Sequence, residues 1–153
     1  MHTTVETIED SIRTALSSDA ALADRVRSFT VLPDLSEEEI LRLIRNVPAV
    51  AVISHEGRWE DGPTSVQDEH GSFSVLCVHR NLRSPAASLR GGASGEIGVY
   101  DLVDDARRVL SQENVLGLDD VLSCKPVSRK LLRADGSACM YAVEVEVVWR
   151  RGV

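Results

Sequence analysis

No apolar run in this 153-residue chain is long enough to cross a bilayer, which takes roughly 20 consecutive apolar residues, so no membrane partner is expected. Residues 1–6 contain no basic region followed by an apolar one, which excludes a secretory signal as the expectation and leaves the chain in the cytoplasm where it is made. Cysteine is sparse. Cys77, Cys124 and Cys139 are odd in number, far apart and never within a C-x-x-C, as expected of reduced thiols packed as small apolar side chains. Basic residues are outnumbered, 17 against 24 acidic ones for a net charge of −7, which argues against a general nucleic-acid binder because phosphate affinity comes from clustered Lys and Arg. The four histidines, His2, His55, His70 and His79, follow no metal-ligand spacing, and neither a G-x-S-x-G elbow nor a Ser-x-x-Lys pair occurs. No catalytic residue, cofactor or metal ligand is therefore assigned. Repeats, low-complexity tracts and long linkers are also missing, so residues 1–153 are expected to form one domain, of a size that buries roughly 68 to 70% of its unfolded surface without disulfides.

What is present is periodicity. In residues 138–149, Cys139, Tyr141, Val143, Val145, Val147 and Trp149 fall on every second position, the mark of a strand with one face in the core. The other face is mixed, with Glu144 and Glu146 expected to look outward among Met140, Ala142 and Val148. An Asp135-Gly136 turn and the run 123–133, with Val127 and Leu131 in step, complete an antiparallel hairpin. Thr4 can cap a first helix with the stripe Val5, Ile8, Ile12, Ala15 and Leu16. A further turn or two at 20–26 precedes a short strand at 29–32. Ser36 followed by Glu39 is a capping box for a second main helix with Ile40, Leu43 and Ile44 inward. Residues 50–53 then read as a central strand covered on both faces. Phe73, Val75 and Cys77 mark another strand, and Val99, Leu102, Val103, Ala106, Val109 and Leu110 a third main helix. The expected fold class is α/β, or α+β in stricter usage: a mainly antiparallel sheet of four to five strands with three helices packed on it.

Two polar passages stand between these elements. Residues 55–70 carry Gly57, Gly62 and Pro63 and read as a long, mobile hairpin loop; residues 81–96 combine Pro85, Gly91, Gly92 and Gly95 with flanking arginines. Loops beyond about 12 to 15 residues are uncommon unless functional or disordered, so both are expected to be contact arms. The glycines at 91–95 lack the Lys-Ser/Thr pair of a phosphate-binding loop. The acidic pairs Asp104-Asp105 and Asp119-Asp120 read as helix surface and turn.

The order of elements, with Ile8-Glu9-Asp10 in the first helix, Pro48-Ala49-Val50 ahead of Gly57, Asn81-Leu82-Arg83, Val99-Tyr100-Asp101-Leu102 and Tyr141-Ala142-Val143-Glu144, resembles a family of Mu-like bacteriophage tail proteins over nearly the whole chain. That resemblance implies a tail-terminator-like fold and a structural role: a six-membered homo-oligomeric ring, assembled in the host cytoplasm, that caps the head-proximal end of the tail tube. Such a ring stops tube polymerisation and joins the tail to the neck, with DNA only in transit through its lumen. No catalytic residue of the family carries over. The candidate interface residues are Arg58, Trp59, His70, Arg80, Arg83, Arg90, Glu144 and Glu146. The alternative, from another class, is a small enzyme or a ligand- or anion-binding domain using residues 55–70 and 91–95.

Overall fold

The computed structural model describes residues 3–62, 66–80, 87, 90, 91, 98–136 and 138–152. Helix α1 (Val5–Ser17) starts at Thr4, whose side chain accepts from the Thr7 amide, and α2 (Ala20–Arg25) starts at Asp19, which accepts from Leu22. Strand β1 (Ser28–Val31), helix α3 (Glu37–Arg45, capped by Ser36) and strand β2 (Ala49–Asp61) follow. Strand β3 (Val66–His79), helix α4 (Val99–Leu110) and the strands β4 (Val121–Ala134) and β5 (Cys139–Gly152) complete the described elements. One five-stranded sheet has the order β1-β2-β3-β5-β4. The β1–β2 pair is parallel, as it must be when α3 forms the crossover between them; the other pairs are antiparallel. Among the described residues there are four helices rather than three, because the turn or two foreseen after α1 is a helix in its own right.

Both faces of the sheet carry a core. On the first, Ile8, Ile12 and Leu16 of α1, Leu22 of α2 and the whole predicted stripe of α4 pack on Val50, Val52, Phe73, Val75, Val143, Val145 and Trp149. Val5 departs from its expected place: it is 38% exposed, in the first turn of α1. The second core is smaller and lies under α3, where Leu43 and Ile44 meet Ala49, Ala51, Ile53, Leu76, Met140 and Ala142. The mixed face of β5 thus has a simple cause. Met140 and Ala142 belong to this second core with Leu76 and Val78 of β3, whereas Glu144 and Glu146 lie farther along the same face, half-buried rather than fully outward. Cys77 and Cys139 are buried and Cys124 half-buried, all as reduced thiols. Burial pushes the Cys77 thiol up to about 12 and the Cys124 thiol up to about 11, which keeps both protonated and unreactive.

The largest departure from expectation is within residues 55–70, where 55–61 and 66–70 belong to strands rather than to a loop. After an irregularity between Ser54 and Gly57, β2 and β3 continue in register through Gly57↔Gly71, Arg58↔His70, Trp59↔Glu69, Glu60↔Asp68 and Asp61↔Gln67. Gly62 closes the far end by donating its amide to the Val66 carbonyl at 2.8 Å. Gly57, one of the glycines that signal a loop, serves here as a close-approach position within a strand, as does Gly71 opposite it. A Cβ at Gly57 would stand 2.8 Å from the His70 carbonyl oxygen, and one at Gly71 would stand 2.9 Å from the Trp149 ring. The second passage, 81–96, lies mostly outside the described residues.

Candidate interaction surface

Beyond the helices, β2, β3 and β5 run on together, since β5 stays paired with β3 from Gly71↔Val147 to Val66↔Gly152. The pleat sorts this extension into two faces. On one, Arg58 and Glu60 of β2 lie beside His70 and Asp68 of β3. Glu60 accepts from Arg58 at 3.2 Å and stands 3.2 Å from His70 Nε2, while Arg150 of β5 donates to Asp68 at 2.9 and 3.3 Å. The Arg150 guanidinium holds the Asp68 carboxyl below its usual range. That contribution is present above the ordinary carboxylate pKa and is lost as pH falls through the lowered folded value. At this exposed site it is small.

The opposite face carries Trp59, Glu69 and Arg151. Glu69 is only 8% exposed and accepts from Trp59 Nε1 at 3.0 Å and from Arg151 Nη1 at 3.4 Å. Trp59 is 65% exposed. A large aromatic is thereby held in one orientation by its polar end while its ring faces solvent, as at anchor residues of protein interfaces.

The first face continues inward to Ser74, which is 2% exposed. Its hydroxyl donates to Glu144 at 2.8 Å, so the short contact with His55 Nε2 must be accepted by the Ser74 oxygen, which places the imidazole proton on Nε2. Serine, histidine and carboxylate are adjacent here in the wrong order for nucleophilic catalysis. The acid holds the serine proton rather than the imidazole, and the imidazole donates to the oxygen it would have to deprotonate. The trio is a cross-strand tie between β2, β3 and β5. We predict that Ser74→Ala lowers stability by about 1 kcal/mol in urea denaturation, the scale of a hydrogen bond whose charged partner recovers water.

The structure brings together only some of the sequence-predicted residues. Arg58, His70 and Glu146 line one hollow of about 200 Å³ with Glu56, Gly57 and Ser72. Trp59 stands on the other face of the same extension. Glu144 belongs to the Ser74 tie. Arg80 is exposed at the opposite end of β3, just past His79, and Arg90 is exposed beside Gly91. Arg83, and the glycine stretch apart from Gly91, lie outside the described residues. Sequence reading missed Asp68, Glu69, Ser74, Arg150 and Arg151 as site residues, because 66–70 reads Val-Gln-Asp-Glu-His with no alternation to mark it as strand. Among the described residues no group of three His, Cys, Asp or Glu could hold a metal ion. A larger hollow of about 680 Å³ lies elsewhere, between α1 and the turn after α4. Its Asp19 is committed to capping α2 and to Arg108 at 2.8 Å, which holds that carboxyl below its usual range.

Comparison with known families matches residues 4–150 to the family described as Bacteriophage Mu, Gp37. Comparison with curated protein sequences gives no match. The chain belongs to the Mu Gp37 family, a family of Mu-like phage tail proteins, and is a structural component of the virion.

Proposed function

We propose, with that membership as the premise, that the chain is a tail terminator: a subunit of a six-membered ring that caps the head-proximal end of the tail tube, ends its polymerisation and presents a surface to the neck. The observation that supports this reading best is the strand-paired β2–β3 extension with its exposed, oriented Trp59. A cap must recognise the end of a tube, and a paired hairpin presents an aromatic anchor with less ordering cost than a loop would. The hollow by Arg58, His70 and Glu146 lies on the other face of the same extension. One arm could thus meet a neighbouring subunit and the tube at once. A lumen lined with acidic residues would repel DNA rather than trap it, in keeping with the net charge of −7.

Light scattering of the purified protein with and without cognate tail tubes, together with electron microscopy of tube lengths, tests the reading. The expected result is a ring of six, in solution or on the tube end, and tubes of limited length. Trp59→Ala is expected to weaken tube capping by roughly 30-fold, about 2 kcal/mol for a hot-spot aromatic, with the fold intact. A chain that stays monomeric, binds no tubes and leaves tube length unchanged overturns the assignment.

A further inference from the structure

We infer that β4 of one protomer docks, through its side chains, on the acidic corner formed by β1 and α3 of a second copy. This rests on the ring reading above and names the two patches from which such a ring is built. Strand β4 is a terminal strand of the sheet. Along its whole length, Val121–Ala134, it carries Lys125, Arg129, Lys130 and Arg133 and no acidic residue, in a chain whose net charge is −7. Lys125, Arg129 and Lys130 are exposed and form no ion pair among the described residues. The register of β4 against β5 shifts between Val121 and Ser123, between Pro126 and Ser128, and between Leu131 and Arg133. The extra residue at each shift is Leu122, Val127 or Leu132, exposed by 50%, 54% and 40%. Three bulges therefore each deliver one large apolar side chain to solvent, and Leu131, 48% exposed, adds a fourth. Val127 and Leu131, read in period-two spacing from the sequence, both lie on this strand and both are exposed.

Bulges twist an edge away from flat pairing, and Pro126 offers no amide donor, so this edge is unsuited to adding a strand. It is suited to side-chain contact. Its complement sits at the other end of the same sheet, where β1 is only four residues long. The segment leading into α3 and its first turn contains Asp34, Glu37, Glu38 and Glu39, beside Leu35 and Leu41 at 43% and 42% exposure. Glu38 and Glu39 pair with Arg42 of the same helix at 3.6 and 3.1 Å, whereas Glu37 is exposed with no ion-pair partner among the described residues. One end of the sheet is thus basic and apolar, the other acidic and apolar. Patches that differ and lie at opposite ends of a subunit give a heterologous contact, which closes into a ring when repeated by rotation.

Charge reversal with rescue tests the pairing. Lys125→Glu/Lys130→Glu and Glu37→Lys/Glu38→Lys are each expected to lower the association constant at least tenfold in light scattering, with circular dichroism unchanged. Mixing the two variants restores assembly, because each altered edge then meets an opposite charge, and an alternating arrangement closes only in rings of even number. All four substitutions in one chain also restore it. Leu132→Ser gives an independent loss on the β4 side, should reversal at the start of α3 reduce helix content. Wild-type rings that survive these substitutions unchanged overturn this interface and leave the ring reading standing. Tube capping by a chain that never self-associates overturns the interface as well, while failure to cap tubes at all counts against the terminator reading itself.

Discussion

Val145→Asp and Val143→Asp are each expected to abolish soluble folding. Val143 and Val145 are 2% and 1% exposed, on the β5 face that packs under α1 and α4, opposite Val75 and Phe73 of the neighbouring strand. Neither site offers a cation or donor to a carboxylate, and an unpaired buried charge costs several kcal/mol even after its pKa has shifted. A chain of this size has about 5 to 15 kcal/mol in total, so such a loss leaves little folded protein. The neighbouring positions supply the contrast. Glu146→Ala should change stability by less than about 0.5 kcal/mol. Glu144→Ala should cost more, about 1 kcal/mol, because the buried Ser74 hydroxyl loses its acceptor. Solubility on expression and urea denaturation rank the four variants. A ranking in which Glu146→Ala costs more than Val145→Asp would reverse the faces of β5 and with them the register of the sheet.

The helices were legible because their signals are local. Thr4 and Ser36 cap the helices they were expected to cap, and the α4 stripe is buried residue for residue. Strand β5 was legible because its alternation is uninterrupted from Cys139 to Trp149. The β2–β3 extension was not, since its stability is not local. Gly57 and Gly71 look like loop residues until it is known that they face each other across two strands, with the Trp149 ring over Gly71. Its charged residues look solvated until Glu60, Asp68 and Glu69 find Arg58, Arg150 and Arg151, the last two from the far end of the chain. Strand β4 was legible as a strand but not in its faces, because a bulge moves the phase of an alternating pattern by one position and β4 has three. The candidate surface was accordingly half legible. Arg58, Trp59 and His70 fall on the two strands of one extension, while the face each occupies follows from a pairing that the sequence does not display.

Replacing Trp149 by alanine should destabilise the protein by about 3 to 5 kcal/mol, the range for loss of a fully buried large aromatic. Trp149 is 0% exposed, packs on Phe73 with ring centroids 6.3 Å apart, and lies where the helix-covered sheet passes into the extension. The ring has room only because residue 71 lacks a side chain. A Cβ there would stand 2.9 Å from Trp149 Cη2 and Cζ3 and 3.0 Å from Phe73 Cε2. Gly71→Ala should therefore cost about 1 to 3 kcal/mol through overpacking, although alanine is the smallest side chain that can be added. The two residues are coupled, and the coupling is measurable. Trp149→Phe removes the outer ring that meets the new Cβ, together with an indole N–H that is buried without a hydrogen-bond partner among the described residues. In that background Gly71→Ala should cost less than about 1 kcal/mol, giving an interaction energy above about 1 kcal/mol in a double-mutant cycle. Equal costs in the two backgrounds would mean that Trp149 does not lie over Gly71, and the β3–β5 register that builds the extension would have to be redrawn.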